Sequence, residues 1–239
     1  FCDDQWRFDT FTKYLAPKLT YSITTDKYSL TKYESLGYKN VILSQWGALE
    51  YDQNINFSDI KYKYEISFVG GRNSTREWII NHLKRKGIKV ECFGKGWENG
   101  RISYEDMRQI FLQSKINLNL SNSISTDIRY LTSSIKNCVN FFRYQKRIEQ
   151  IKARNFEIPC FGGFQLTNYV PGIEEHYVIG DEVAVYSSVD DLCLQLDFYL
   201  KNDLIRQKIA VNGYERSQNY TYTERIKEVL GKVNCNAKN

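Results

Sequence analysis

EISFVGGRNSTREWIINHLKRKGIKVECFG, residues 65–94, is the stretch that decides the fold class. Residues 65–69 form a short apolar run that stops at Gly70-Gly71, which reads as a buried strand ending in a glycine turn. Asn73 or Ser74 then caps TREWIINHLKRKG (75–87), where apolar residues recur at helical spacing, and IKVECFG (88–94) is the next strand. Strand, helix and strand in so short a span make a crossover unit, which sets two parallel strands side by side.

The alternation continues in both directions. Downstream, SYEDMRQIFLQS (103–114) opens with a capping box, Ser103 with Asp106 at N3, and KINLNLS (115–121) is a third strand. Residues 126–150 read as mostly helical, an insertion, with RYQKRIEQIKARNFE (143–157) continuing as one helix. ARNFEIPCFGG (153–163) is a short helix with a glycine stop, FQLTN (164–168) and EVAVY (182–186) are strands, and three helices close the chain from 188 to 233. Upstream, Tyr21–Thr25 and Asn40–Leu43 are strands around a helix at 26–37, with Asp26 as N-cap and Gly37 as its stop. GALEYDQNINFSDIKYKY has no period and predicts a linker at 47–63. FCDDQWRF (1–8) reads as a strand end running into a loop, as if the chain began part-way through a domain.

Composition narrows the class. The 239 residues are 42% hydrophobic and 26% charged, enough for a sizeable core, which excludes disorder, collagen and a short disulfide scaffold. The longest apolar stretches, such as 116–120, are strand-sized, so no transmembrane helix is expected. Thirty-three basic against 28 acidic residues leave +5. That is too mild for a nucleic-acid binder and suits an enzyme of anionic substrates, with a peripheral membrane contact compatible. Six cysteines (2, 92, 138, 160, 193, 235) include no CxxC pair. Cys92 and Cys160 lie in apolar runs as free thiols, so a reduced, cytoplasmic setting is expected. With only His82 and His176, no histidine-built metal site is expected.

Four places carry chemistry. Gly70-Gly71, between strand and helix, would offer backbone N–H groups to a phosphate, with Arg72 and Arg76 adding charge-assisted bonds; a plain turn with solvated arginines is the other reading. The spacing matches neither GxGxxG nor a P-loop. FGKGWENGR (93–101) is a glycine-rich turn whose Trp97 would lie against a nucleobase or cover the sheet edge. Asp3-Asp4 would supply a general base, Asp4 foremost, or a helix cap. In IKARNFEIPCFGG (151–163), Lys152, Arg154 and Glu157 stand at the entrance of a buried element, where a nucleotide or an internal ion pair must compensate them.

The block QIKARNFEIPCFGGFQLTNYVPGIEEHYVIGDEVAVYSSVDDLCLQLDFYL (150–200), followed by RQKIAVNGYERSQNYTYTERI (206–226), resembles the C-terminal donor-binding domain of the CgeB-like, spore-protein-type glycosyltransferases of the GT-B superfamily. ISFVGGR, FGKGW and SKINLNLS resemble it in order and spacing. FCDDQWRF, YSITTD and YESLGYKNVILSQWG look like the last portion of the acceptor-side domain. The resemblance implies an α/β fold of Rossmann-type parallel sheets with helices on both faces. It implies a partial N-terminal domain with linker at 1–58, short of an ordinary domain by about 100 residues, and a C-terminal nucleotide-sugar domain with its closing helices at 59–239.

By that resemblance Glu157 binds the donor ribose, Lys152 and Arg154 contact the diphosphate, and Gly70, Gly71 and Arg72 face the phosphates. Glu149 and Glu157 carry the Glu-x7-Glu spacing of retaining enzymes, with retention or inversion left open. No metal and no cofactor is required beyond the UDP- or GDP-linked sugar, because cations and helix dipoles can stabilise the departing diphosphate. The expected function is transfer of a sugar to a cell-surface glycan, lipid or protein acceptor. The alternative is a non-catalytic nucleotide-binding or assembly module; the intact charged set favours the enzyme. A dinucleotide oxidoreductase lacks its glycine fingerprint. The 123–150 insertion departs from the family pattern.

Overall fold

A computed structural model describes residues 4–50, 55–144 and 146–236. Cys2, Asp3 and the centre of the expected linker, 51–54, lie outside the described residues. The chain forms two compact units, Phe1–Glu50 with Asn219–Asn239, and Tyr51–Gln218.

The first unit begins with α1 (Asp4–Arg7), a π-helical turn Phe8–Thr12, α2 (Lys13–Leu15) and a 3-10 turn Ala16–Lys18. The described part of the expected strand end is therefore helical. Phe8, Ala16 and Tyr33 pack together there, and the Tyr33 ring meets Phe8 edge-on. Strands β1 (Ser22–Thr24) and β2 (Val41–Leu43) pair in parallel, Ser22 opposite Val41, around α3 (Leu30–Ser35). Asp26 caps the helical turn as expected, accepting from the Tyr28 N–H at 3.3 Å. Gly37 ends α3 at φ +68°.

The second unit carries β3 (Tyr64–Val69), α4 (Ser74–Arg85), β4 (Glu91–Phe93), α5 (Tyr104–Leu112) and β5 (Ser114–Asn119). Then follow α6 (Ile128–Ser133), α7 (Ile135–Arg143), α8 (Arg154–Cys160), β6 (Gln165–Asn168), β7 (Ala184–Tyr186), α9 (Val189–Lys201) and α10 (Asp203–Ser217). All five strands are parallel in the order β4-β3-β5-β6-β7. Period-two alternation covers both faces: Ile66 and Phe68 join Leu83 of α4 and Leu192 and Leu196 of α9. Val69 joins Ile110 and Phe111 of α5 and Ile158 of α8. The order reverses between β3 and β5, and ligands of such sheets bind outside the carboxyl ends at that switch point.

Two expectations are corrected. The 126–150 segment is mostly helical as expected, in α6 and α7, but RYQKRIEQIKARNFE does not continue as one helix: Ser134 is extended and its hydroxyl caps α7, while residues 146–152 are irregular, so Glu149 stands in a loop. The chain end also groups differently. Helix α11 (Tyr222–Asn236) belongs with residues 4–50, not with the donor-side unit. Ala48 pairs with Thr221 in a parallel bridge, which takes Gly47 and Ala48 out of the expected linker. A Cβ on Gly47 would lie 2.9 Å from the Thr221 carbonyl carbon, so the close approach requires glycine. Among the described residues no helix is long and apolar enough to cross a membrane.

Candidate functional site

The carboxyl end of β3 is built from two glycine turns placed back to back. The Gly70 N–H donates to Phe93 O at 2.8 Å and the Arg72 N–H to Lys95 O at 2.9 Å, tying the turn after β3 to the turn after β4. Gly94 sits at φ +125°, and a Cβ there would fall 2.4 Å from Gly70 O. Beside these turns opens a cavity of 370 Å³, lined by Gly70, Gly71, Gly94, Lys95, Arg101, Ser103, Tyr104, Met107 and Arg154. The N-terminus of α5 faces it. Its capping box is formed as the sequence predicts, with Asp106 N–H donating to Ser103 Oγ at 3.0 Å. Backbone donors, a positive helix end and three cations thus converge on one concavity.

Arg154 bridges this cavity to the buried carboxylate. It opens α8, donates from Nε to Val69 O at 3.3 Å, and pairs through Nη1 with Glu157, which is 6% exposed. The internal ion pair considered from the sequence is present. Lys152 Nζ donates to Gln150 Oε1, just ahead of the helix.

A second set of ionisable groups involves the β5 end. Arg76 spends its donors on carbonyls, reaching Gly71 O at 2.8 Å and Leu120 O at 2.7 Å. Burial lowers its pKa to about 10, with the like charge of Arg154 adding to that and Tyr186 and Glu149 opposing it. Arg76 thereby clasps the Gly71 turn to the end of β5, across the switch point. Burial raises the Glu149 carboxyl above its ordinary value, against the pull of Ser121, Lys146, Asn168 and Arg76. Its Oε2 is buried without a hydrogen-bond partner. The buried Tyr186 phenol is pushed up by burial and by the Glu149 charge.

The residues expected from the sequence therefore separate. Gly70, Gly71 and Arg154 line the cavity, with Glu157 joined to it through Arg154, while Glu149 and Arg76 interact electrostatically. Arg72 and Trp97 line a different, 640 Å³ concavity against α4. Arg72 pairs with Glu77 at 2.5 Å, and the Trp97 indole donates to Gly70 O at 2.8 Å. Trp97 packs partly against the core beside β4. Asp4, in the first unit, is fully buried and accepts from the Thr12 and Tyr33 hydroxyls at 2.7 and 2.8 Å, a packing role that leaves no exposed base. Sequence reading passed over Lys95, Arg101, Ser103 and Tyr104; the signal was a helix cap directly after a glycine turn that holds two cations. Among the described residues no three metal-ligating side chains come together.

No curated protein sequence matches the chain. Among solved structures, S. aureus TarM in complex with Fondaparinux, alpha-GlcNAc-glycerol and UDP superposes with TM-score 0.65 at 10% identity, over 97% of this chain and 48% of that one. The pneumococcal O-GlcNAc transferase GtfA in complex with UDP and GlcNAc gives 0.58 at 13% identity, over 97% and 47%. Anabaena HepE in complex with UDP-glucose gives 0.63 at 10%, over 95% and 69%. The chain spans about half the length of the structures it matches first. The fold is that of the GT-B glycosyltransferases. Residues 72–231, more than half of the sequence, match the family described as glycosyl transferase-like, and the chain belongs to that family.

Proposed function

We propose that this chain handles the donor in a glycosyltransferase of the CgeB-like type, moving a sugar from a nucleoside-diphosphate sugar to a cell-surface glycan, lipid or protein acceptor. The observation that carries the reading is the 370 Å³ cavity at the carboxyl end of β3, where the Gly70-Gly71 backbone, the α5 N-terminus and Lys95, Arg101 and Arg154 meet. A nucleoside diphosphate matches that chemistry: a flat stacking base, a diol and a dense negative charge.

In this reading Glu157 accepts the ribose hydroxyls, while Arg154, Lys152 and the glycine turn hold the diphosphate. When the bond between the anomeric carbon and the diphosphate oxygen breaks, the electron pair leaves with the nucleotide, and these cations meet the developing charge without reorganising. The acceptor hydroxyl oxygen forms the new bond to the anomeric carbon, and its proton passes to the departing diphosphate oxygen. Glu149, with an oxygen unclaimed, is the carboxyl offered to the sugar. Arg76 is a positioning residue for the Gly71 turn, and Arg72 and Trp97 are left outside this set. Uridine is the base chosen, because TarM, GtfA and HepE were each solved with a uridine nucleotide. The buried thiols Cys92 and Cys160, neither in a disulfide, fit a cytoplasmic setting, where nucleotide sugars are available.

The reading takes no divalent metal. Calorimetry with UDP and GDP in EDTA is expected to show binding, tighter for UDP. Binding that vanishes in EDTA and returns with Mn²⁺ would overturn the metal-free assignment, and no nucleotide binding under either condition would overturn the function.

A further inference from the structure

The 123–150 insertion is anchored by one face only. Tyr130 of α6 is fully buried, its hydroxyl 2.8 Å from Ser74 Oγ of α4, and it packs with Trp78, Ile124 and Val189, with Leu131 and Phe141 against the same cluster. The opposite side of α7 carries Ile135, Val139 and Phe142 at i, i+4 and i+7, a single stripe. These side chains are 87%, 53% and 75% exposed, and no residue of α7 is buried. Ile128 and Ile148, in the flanking segments, are also exposed, at 71% and 57%.

Between Asp127 and Glu149 the charge of this segment has one sign. Residues 128–148 hold Arg129, Lys136, Arg143, Lys146 and Arg147 and no acidic residue, in a chain whose net charge is +5. Arg129 is committed to Asp127 and Asp190, at 2.7 and 2.9 Å, which ties α6 down. On an α-helix, Lys136 and Arg143 fall about 80–100° round from Ile135, on one flank of the apolar stripe. Long cationic stems beside exposed aliphatic and aromatic side chains can reach anionic headgroups while the stripe enters the acyl boundary.

We infer that α6 and α7 dock on an anionic lipid surface, with Ile135, Val139 and Phe142 inserted and Lys136 and Arg143 on the headgroups. A second copy of this chain fits the patch poorly, because a two-fold contact would set the same cations against themselves. The docking does not depend on sugar transfer. Combined with that reading, it holds the donor unit at a bilayer, where a lipid-borne acceptor would be met.

The test is co-sedimentation of the whole chain with vesicles of phosphatidylcholine alone or mixed with phosphatidylglycerol. Binding to the mixed vesicles is expected to exceed binding to neutral ones by at least about tenfold, and to fall with added salt. The double variant Ile135→Ser/Phe142→Ser and the double variant Lys136→Glu/Arg143→Glu should each lose about tenfold or more, with unchanged melting temperature because all four side chains lie outside the core. Equal binding to neutral and anionic vesicles, no binding to either, or full binding by the serine variant would overturn the proposal. Self-association abolished by the same substitutions, without vesicle binding, would assign the patch to a protein contact instead. UDP calorimetry on the variants separates this outcome from failure of the donor-binding reading.

Discussion

Glu157 lies 6% exposed with one oxygen on the Arg154 guanidinium, so its replacement tests the fold and the proposed ligand role together. A carboxylate that accepts ribose hydroxyls makes charge-assisted bonds worth about 1.5–3 kcal/mol, so Glu157→Ala should weaken UDP binding by about tenfold to a few hundredfold. Arg154 keeps its bond to Val69 O and remains partly exposed, so water can replace the lost partner and the melting temperature should fall less. Calorimetry and a thermal melt on Glu157→Ala and Glu157→Gln separate the roles; unchanged affinity with a lowered melt would reduce Glu157 to the partner of Arg154. Glu149 gives a prediction of opposite sign. Its folded pKa is raised by burial above the ordinary carboxylate value of 4.5, so its contribution to stability is present at low pH and is lost as pH rises through the folded value. Above that folded value the charged carboxylate opposes folding. Glu149→Gln should therefore melt higher than the parent at pH 7, by about 2–4 °C for each kcal/mol relieved, and the gap should close on acidification. A lower melt for Glu149→Gln at pH 7 would show that its charge is compensated.

The element that shapes the cavity is the pair of glycine turns. Gly94→Ala combines a backbone at φ +125° with a Cβ placed 2.4 Å from Gly70 O, so either the β4 turn or the β3 turn must move. Such strain costs about 1–3 kcal/mol, and because Gly70 and Gly71 line the cavity, UDP affinity should fall as well. Chemical denaturation and calorimetry on one variant check both; a loss of stability with unchanged affinity would detach the turn from ligand binding. The strands and helices of this unit were legible because each is short, apolar on the right period and bounded by Gly, Asn or Ser. Asn73 accepting from the Arg76 N–H at 2.9 Å is the cap the sequence offered. The roles of Arg72, Arg76 and Trp97 were not legible. An arginine after a glycine turn looks the same in sequence whether it meets a phosphate or a carbonyl, and the choice depends on β5, more than 40 residues away at Leu120. The break in the insertion was equally hidden, because Ser134, the second of two adjacent serines, acts through its own extended backbone and the Asn137 N–H.

At the scale of the molecule the chain leaves the first unit at Glu50 and returns to it at Asn219. A reading that proceeds along the sequence joins α11 to its neighbour α10, because nothing in the spacing of YTERIKEVLGKV says which unit its apolar side covers. The attachment is made by backbone: Ala48 N–H donates to Tyr220 O at 3.0 Å and Tyr222 N–H donates to Ala48 O at 2.9 Å. Side chains extend it, with Thr221 Oγ1 donating to Glu50 Oε1 at 3.0 Å, Arg225 Nε to Trp46 O at 3.3 Å and Lys232 Nζ to Leu43 O at 3.1 Å. Among its described residues the first unit has one two-stranded sheet, which is marginal alone. Deleting residues 222–239 removes the helix while leaving every strand and helix of Tyr51–Gln218 in place. Hydrogen exchange should then quicken at the Ser44 and Ala48 amides, which donate to Thr24 O and Tyr220 O, and stay slow in β3, β5 and β6, because exchange follows the local opening free energy. UDP affinity should be kept, since the cavity is built wholly within Tyr51–Gln218. If instead β3 and β5 lose protection along with residues 22–48, the two units unfold as one cooperative body and α11 stabilises both.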